Sequence, residues 1–346
     1  MITIAKSSDI EREVLFGNAA DRAGINNPAI VEKDFWVCFA LDYLFHKSPW
    51  SQSFIFKGGT SLSKAYHVIE RFSEDIDLIM DWRLLGYGIY EPWMERSRTQ
   101  QDKFDKKAVA NASKFLTESF VSQMEKDLSN LLERSVSVFM DPDDKEQCTV
   151  NFFYPHVFST SYIRQEIRLE IGPLAEWVPS HLVPIRSIVA EQFPNTFQRA
   201  DTVVPTVDVE RTFWEKVTIL HKTAASYGQK GIPSRYARHY YDLYQMSRSD
   251  VKDKAFSRRE LLEQDIRFKL KFYYTKSASY ETAHIGSIRL VPSSDAIKEL
   301  SHDYDHMKEM IYGEMPSFDE IISSIAKLEE EINGLTFQTG IPRSLS

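Results

Sequence analysis

The chain has 346 residues, and its 42 Lys and Arg against 50 Asp and Glu give a formal net charge of −8. A hydrophobic content of 42% is typical of a globular protein, and the length suits two domains. The negative balance excludes a protein coated uniformly with basic residues for nucleic-acid binding, although a local basic patch stays compatible with it.

The lack of a recognisable targeting signal and the cysteine usage both favour a cytoplasmic location. The first residues carry no signal-peptide pattern, and no apolar run approaches the length of a membrane span. Cys38 and Cys148 lie far apart without the spacing of metal ligands, which suggests a reducing compartment. We therefore expect a cytoplasmic protein with no membrane partner.

Two helices are predicted before the first strand, at residues 9–24 and 28–46. The second is largely apolar, and Glu32, Lys33 and Asp34 stand in its first turns. Charged residues at such positions are ordinary helix-start chemistry, because they interact with the helix dipole.

The segment after residue 53 carries the strongest functional pattern. Residues 53–56 are aromatic and β-branched, which predicts a buried strand. Gly58 and Gly59 then allow a sharp turn and a close approach to a ligand, because neither has a Cβ. We expect Thr60 or Ser61 to cap a following helix whose apolar positions are Leu62, Ala65, Tyr66 and Ile69. The free N–H groups at such a helix start favour a phosphate.

A pair of carboxylates follows this turn. Asp75 and Asp77 begin a second predicted strand, residues 76–80, and alternate strand residues project from the same face. Two adjacent carboxylates are costly unless a cation lies between them. Mg²⁺ prefers oxygen ligands and commonly joins carboxylates to substrate phosphates. Each half alone would be an ordinary turn or a solvated strand end, but together they predict a nucleotide and metal site.

These residues resemble the AbiEii/AbiGii toxin family of nucleotidyltransferases, which share the DNA polymerase β-like fold. The resemblance rests on Gly58, Gly59, Thr60, Ser61, Leu62 and Lys64 together with Arg71, Phe72, Ser73, Asp75 and Asp77. It extends to residues 31–36, 211–216 and 238–243. It implies that Gly58, Gly59, Thr60, Ser61 and Lys64 bind the triphosphate of an NTP substrate, and that Asp75 and Asp77 bind Mg²⁺, with Mn²⁺ as the alternative. By the same resemblance, residues 32–34 would lie near the nucleotide, as the alternative to the helix-start interpretation.

A third carboxylate is predicted on a later strand. Residues 136–140 and 149–154 read as a hairpin whose acidic turn, residues 141–144, is expected to be solvated. Residues 163–171 alternate between apolar and charged positions, which predicts a strand with one charged face. In polymerase β-like enzymes a carboxylate on such a strand joins the Asp pair. The resemblance therefore implies Glu170 as the third catalytic and metal-binding carboxylate, with Glu166 as the fallback.

The rest of the chain is predicted to be mainly helical. Prolines recur through residues 173–208, so we place a domain boundary near residue 200. Two helices are expected at residues 208–222 and 234–247, and two acidic amphipathic helices at 297–311 and 318–335. The first pair lies in a basic stretch, with a single acid, Glu215, against Arg211, Lys216, Lys222, Lys230, Arg235 and Arg238. Such an excess of positive charge predicts a patch that binds triphosphate or RNA.

The resemblance also implies roles for residues of this stretch. Lys216 would neutralise phosphate charge during transfer. Asp242 would orient Lys216, or contact the metal or the base, and Arg238 would contact the nucleotide. His239 beside two tyrosines is more typical of a packing residue than of a general base.

We therefore expect an α+β protein. Residues 1–200 would form a polymerase β-like nucleotidyltransferase domain with a mixed sheet, and residues 201–346 a mainly helical domain that closes the active-site cleft. The resemblance implies nucleotide transfer to tRNA or another RNA acceptor by the toxin of a type IV toxin–antitoxin or abortive-infection system, with a cognate antitoxin encoded nearby. Three alternatives stay open: transfer of a phosphate or nucleotide to a protein hydroxyl, a nucleotide- or RNA-binding protein without turnover, and a structural helical partner.

Overall fold

The computed structural model describes residues 1–159, 163–173, 178–226 and 231–335. The chain forms two compact units. The first comprises Met1–Thr212 together with Met310–Glu314, and the second comprises Phe213–Glu309 and the chain from Met315 onward. Across the described ranges, every helix is too short or too polar to cross a membrane.

A seven-stranded mixed sheet forms the centre of the first unit. Its strands, in chain order, are β1 Phe54–Lys57, β2 Asp75–Met80, β3 Ser137–Met140, β4 Thr149–Phe153, β5 Glu166–Gly172, β6 Ser180–Arg186 and β7 Asp201–Val207. Their order across the sheet is β3-β4-β5-β2-β1-β7-β6. The β2–β5 and β1–β7 pairs are parallel, and the other neighbouring pairs are antiparallel. The predicted mixed sheet, including the hairpin and the alternating strand β5, is confirmed.

The alternation of side chains gives the sheet one apolar and one polar face at β2 and β5. Ile76 and Leu78 of β2 and Ile167 and Leu169 of β5 belong to the main hydrophobic core. The intervening residues of both strands are charged, so they project from the opposite face. The strand sequences thus place the carboxylates away from the core.

The helices of the first unit pack mainly around this sheet. They are α1 Ile2–Ala5, α2 Asp9–Ala23, α3 Pro28–His46, α4 Gly58–Lys64, α5 Arg98–Phe115, α6 Val121–Leu132 and α7 Ile188–Gln192. A π-helical turn, Leu116–Phe120, joins α5 to α6. The predicted helices at residues 9–24 and 28–46 are confirmed by α2 and α3. Almost every residue of α3 is buried, so this helix lies inside the core.

The helix after the glycines differs from the prediction. Thr60 and Ser61 do not cap it, because α4 already begins at Gly58 and its first-turn N–H groups receive no side-chain cap. Gly58 has φ +79°, a conformation that lets the chain turn directly from β1 into the helix. The helix also ends at Lys64, before three of the four positions expected on its apolar face.

A distant segment completes the loop between α4 and β2. The N–H of Phe72 donates to the carbonyl of Met310 at 2.7 Å, and the N–H of Tyr312 donates to that of Glu70 at 3.0 Å. Arg71 forms an isolated antiparallel bridge with Ile311. Residues 310–314 therefore belong to the first unit although both chain neighbours belong to the second.

The second unit is helical in its described part, as predicted. Helix α8, Val209–Ser226, begins in the first unit and continues into the second, and it is followed by α9 Ala237–Ser247, α10 Val251–Ser257, α11 Glu260–Phe272, α12 Ser294–Met307 and α13 Phe318–Asn333. The expected acidic helices correspond to α12 and α13. Their acidic residues are not all solvated, because Glu329 accepts the N–H groups of Leu290 and Val291. The expected boundary near residue 200 precedes β7, which pairs within the sheet.

Candidate functional site

The strand register places the predicted carboxylates on neighbouring strands. Asp77 of β2 is paired with Glu170 of the parallel strand β5 and with Lys57 of β1. Asp75 lies two residues earlier on the same face and is paired with Arg168. Side chains at paired positions project from the same face of a sheet. The register thus brings Glu170 directly beside Asp77.

The fallback residue lies elsewhere. Glu166 begins β5 and is paired with Phe153 of β4, two positions before the residue that faces Asp75. The register therefore favours Glu170 over Glu166 as the companion of the Asp pair.

The two glycines contact the residues that follow α4. A Cβ built on Gly58 would lie 1.9 Å from Asp77 Oδ2, much closer than two non-bonded atoms can approach. A Cβ on Gly59 would lie 2.8 Å from Arg71 Nη2 and 2.9 Å from Ser73 Oγ. The glycine turn is thus the surface against which Asp77, Arg71 and Ser73 rest. The two halves of the motif, separated in sequence, meet in the fold.

The hydroxyl groups of Thr60 and Ser61 bond to the protein itself. The Thr60 hydroxyl donates to the carbonyl of Asp75 and lies 3.2 Å from that of Ser73. The Ser61 hydroxyl donates to the carbonyl of Gly58 at 2.7 Å. Both side chains are buried. Thr60 therefore ties α4 to the start of β2, and the groups of this turn best suited to meet a phosphate belong to its backbone.

Lys64 forms a buried ion pair. Its Nζ lies 2.7 Å from Asp34 Oδ1, and Asp34 Oδ2 accepts the N–H of Ile188 at 2.6 Å. Burial alone would lower the pKa of Lys64, but the nearby Asp34 carboxylate outweighs it and raises that pKa. Both residues line a small pocket with Val37, Thr60, Ser63, Arg71, Phe72, Ser73, Ile188 and Tyr312. In this arrangement, the charge of Lys64 is already neutralised by Asp34.

The three consecutive charged residues at positions 32–34 of α3 are all buried and all bonded to other segments. Glu32 accepts the N–H groups of Val157 at 2.7 Å and Phe158 at 3.0 Å. Burial raises the pKa of Glu32, and these two hydrogen bonds offset only part of the rise. Lys33 forms an ion pair with Glu74, the residue before Asp75. The helix-start interpretation is therefore wrong, because α3 begins at Pro28 and these side chains lie inside the protein.

Arg168 and Asp141 also belong to the polar face, and neither was predicted as a site residue from the sequence. Arg168 Nε lies 3.2 Å from Asp141 Oδ2, and its Nη2 lies 3.5 Å from Glu170 Oε1. Burial alone would lower the pKa of Arg168, but the charges of Asp75, Glu170 and Asp141 raise it. Arg168 therefore offsets part of the repulsion among these carboxylates.

The expectation of a solvated acidic turn is wrong for Asp141, which is buried beside Arg168. The available signals were the position of Asp141 directly after a strand and the shared face of Arg168 and Glu170.

The oxygen atoms of this site are of the kind that a hard divalent cation binds. Asp75 and Asp77 supply carboxylate oxygens on one face of β2, and the Asp77 carboxylate lies directly against Gly58. Among the residues that the structure describes, no three His, Cys, Asp or Glu side chains converge to hold a metal ion. The Asp pair, with Glu170 in register beside it, is thus suited to a cation that takes further ligands from substrate phosphates or water, the usual arrangement for Mg²⁺.

The other predicted pair forms within the second unit. Lys216 Nζ lies 2.7 Å from Asp242 Oδ2 and 3.0 Å from His239 Nδ1, and the first two side chains are buried. The His239 ring packs edge-on against Tyr236 at 4.7 Å, in line with its expected packing role. Arg238 is half-buried on α9.

Two of the cations in the predicted basic patch are buried in the structure. Arg211 and Lys216 are both buried, because α8 is covered by protein on most of its sides. Arg211 belongs to the first unit and Lys216 to the second. Lys230 lies outside the described residues.

Comparison with known proteins gives a matching family and similar solved structures. The family model described as nucleotidyl transferase AbiEii toxin, type IV TA system, matches residues 41–324. No curated protein matches the chain. Among solved structures, the chain is similar to MenT4, a nucleotidyltransferase toxin from Mycobacterium tuberculosis H37Rv, at 14% identity and a TM-score of 0.44. That match covers 90% of this chain and 98% of the other.

Proposed function

The chain belongs to the AbiEii family of nucleotidyltransferase toxins of type IV toxin–antitoxin systems, and we propose that it transfers a nucleotide from an NTP to an RNA acceptor. The observation that carries the proposal is the glycine turn at Gly58, in contact with Asp77, with Glu170 in register on the next strand. We propose Asp75, Asp77 and Glu170 as catalytic and metal-binding residues on this basis.

The reaction proposed is in-line attack of an acceptor hydroxyl on the α-phosphorus, with pyrophosphate leaving. The bond from the acceptor oxygen to the α-phosphorus forms as the bond to the pyrophosphate oxygen breaks, and the proton of the acceptor hydroxyl is released to water. A divalent cation, Mg²⁺ or Mn²⁺, held by Asp75 and Asp77 with Glu170 would supply Lewis-acid stabilisation of the phosphate oxygens and lower the pKa of the attacking hydroxyl. In this class of reaction positioning and electrostatic stabilisation supply most of the rate.

The protein groups have separable roles in this proposal. The backbone of Gly58 and Gly59 would approach the triphosphate at the turn against which the side chains of Asp77, Arg71 and Ser73 lie. Thr60 and Ser61 would hold the turn through their hydrogen bonds to the backbone. Lys64 would stabilise the site through Asp34 and not through the phosphates.

The roles of residues in the second unit rest on the family resemblance. Lys216 would neutralise charge that develops on the phosphates during transfer. Its hydrogen bond to Asp242 supports the orienting role proposed for that carboxylate. Arg238 would contact the nucleotide. We propose the first unit as the nucleotidyltransferase domain and the second as the helical domain.

The acceptor and setting follow from the family as proposals. A toxin of such a system has an antitoxin as a partner, and we propose that this one is cytoplasmic, with its antitoxin encoded nearby. We propose tRNA as the acceptor, because the family resemblance implies transfer to tRNA ends, which blocks translation.

The test incubates the purified chain with each α-³²P-labelled NTP, Mg²⁺ and total tRNA. Asp77→Asn is the inactive comparison, because it removes the charge but keeps the side-chain volume. Asp102→Asn, an exposed position on α5, is the matched control and should stay fully active.

We expect label on tRNA with one NTP, in the wild type and in Asp102→Asn but not in Asp77→Asn. Label on a protein instead would indicate that the acceptor is a protein hydroxyl and not RNA. Binding of NTP without transfer of label to tRNA, total cellular RNA or protein would overturn the enzymatic proposal.

A further inference from the structure

We propose that Lys33 is a positioning residue that fixes strands β2 and β5 relative to each other, and with them Asp77 relative to Glu170. The inference deepens the proposed function, because it concerns the carboxylates assigned to catalysis there. Lys33 has no assigned role in the reaction, and its side chain is too deeply buried to contact a substrate.

The contacts of Lys33 join the entries to both strands. Its Nζ lies 2.7 Å from Glu74 Oε2 and donates to the carbonyl of Arg164 at 2.9 Å. Glu74 directly precedes Asp75, the first residue of β2, and Arg164 stands two residues before Glu166, the first residue of β5. One ammonium group thus holds both strands just before they begin.

The topology explains why such a link matters. Strands β2 and β5 are parallel neighbours, so no tight turn can join them and set their register. The chain between them forms two long helices and a hairpin, α5, α6 and β3–β4. A slip of one residue would turn Glu170 to the opposite face. The bonds of Lys33 supply, at the strand entries, the fixed connection that a hairpin turn would otherwise give.

The neighbours of Lys33 hold its own backbone in place. Glu32 is bonded to the N–H groups of Val157 and Phe158, in the segment that leads toward β5. Asp34 is bonded to Lys64 of α4, which follows the glycine turn. Three consecutive residues of α3 therefore bind segments around the carboxylates, and Lys33 is bonded to residues just before the two strands that carry them.

Stability alone gives no reason for a charged pair at this place. Apolar residues of similar volume can replace a buried ion pair at little or no cost in stability. An apolar pair would fill the space of Lys33 and Glu74, but it would not bond to the carbonyl of Arg164. The double variant Lys33→Met/Glu74→Met therefore separates positioning from stability.

The experiment compares the wild type, Lys33→Met/Glu74→Met and Lys33→Arg. Unfolding in urea measures stability, amide hydrogen exchange measures the local order of β2 and β5, and nucleotide transfer gives kcat and KM for the NTP. The control, Lys252→Met/Glu331→Met, removes an ion pair of 2.9 Å from the second unit.

We expect the Lys33→Met/Glu74→Met variant to fold with near wild-type stability, with amide exchange faster by about tenfold at β2 and β5 but unchanged at α13. Its kcat should fall by about 10²-fold, the scale of a 1 Å misplacement, while KM changes little. Lys33→Arg should recover most of kcat, because a guanidinium can bond both Glu74 and the Arg164 carbonyl. The control should leave exchange in β2 and β5 unchanged.

A folded Lys33→Met/Glu74→Met variant with wild-type exchange and kcat would overturn the positioning role. If that variant does not fold, Lys33→Gln decides: faster exchange confined to β2 and β5 supports the role, and a uniform increase across the first unit overturns it. Absence of transfer in the wild type would defeat the proposed function alone, since the exchange measurement needs no activity.

Discussion

Gly58 gives the most direct test of the site geometry. In Gly58→Ala the new Cβ would lie 1.9 Å from Oδ2 of Asp77 and 2.8 Å from its Cβ. Rotation of the carboxylate cannot relieve a contact that reaches Cβ, so the backbone of β1 or β2 must move. We expect Asp77 to leave the position it needs beside Glu170.

The energetic effect has two parts. A non-glycine residue at φ +79° costs about 1–3 kcal/mol, and overpacking costs about 1–3 kcal/mol more. A total of about 2–6 kcal/mol is substantial against a typical unfolding free energy of about 5–15 kcal/mol. If Asp77 has the proposed catalytic role, its displacement by about 1 Å should lower the transfer rate by about 10²-fold.

Two other glycines separate these parts. Gly86 has φ +85° and no atom within 4 Å of a built Cβ, so Gly86→Ala introduces backbone strain alone. Gly59 is not in the left-handed region but contacts Arg71 and Ser73, so Gly59→Ala introduces a steric contact alone.

The assay is transfer of labelled nucleotide, with unfolding in urea measured on the same samples. Gly86→Ala should lose about 1–3 kcal/mol of stability and keep wild-type transfer. Gly58→Ala should lose both stability and nucleotide transfer. Gly59→Ala should also lose transfer, but with a smaller loss of stability. Equal transfer by Gly58→Ala and Gly86→Ala would refute the argument, because the approach to Asp77 would then have no consequence.

Two further outcomes follow from buried charges. Lys216→Met should lower the unfolding free energy by about 3–5 kcal/mol, because Asp242 loses the cation 2.7 Å from its carboxylate. The double variant Lys216→Met/Asp242→Leu should recover the unfolding free energy without restoring nucleotide transfer. A Lys216→Met variant as stable as the wild type in urea would contradict this. Burial raises the pKa of Glu32 in the folded state. Folding therefore takes up protons in the pH range just above the ordinary pKa of Glu, and the stability of the wild type rises as the pH falls through that range. Urea unfolding between pH 7 and pH 5 should therefore show wild type gaining stability relative to Glu32→Gln, and a constant difference would contradict the raised pKa.

Local patterns in the sequence were enough to predict the strands that carry the carboxylates. The alternation of apolar and charged residues identifies β5 and the face of Glu170, and the spacing of Asp75 and Asp77 places both on one side of β2. These features depend only on the two-residue period of a strand. The role of Gly58 was also accessible, since a glycine pair after a strand predicts a turn with close contacts.

The ion pairs around the site were not predictable in this way. Lys64 resembles a phosphate ligand in the sequence, but its partner Asp34 lies on a helix that only the tertiary fold brings near. The same holds for Lys33 with Glu74. The predicted cap at Thr60 failed because capping preference is a local signal, whereas the hydroxyl of Thr60 is bonded to β2 across the turn.

Because residues 310–314 belong to the first unit, one part of that unit can be completed only late in synthesis. The N–H of Phe72 finds its acceptor at Met310, so the loop before β2 lacks this partner until the ribosome has made most of the second unit. Domains generally begin to fold from the N-terminus during synthesis. Here the sheet can form early, while the loop that leads to Asp75 is completed late. For a toxin, the site proposed for catalysis is therefore completed only after residues 310–314 have been made.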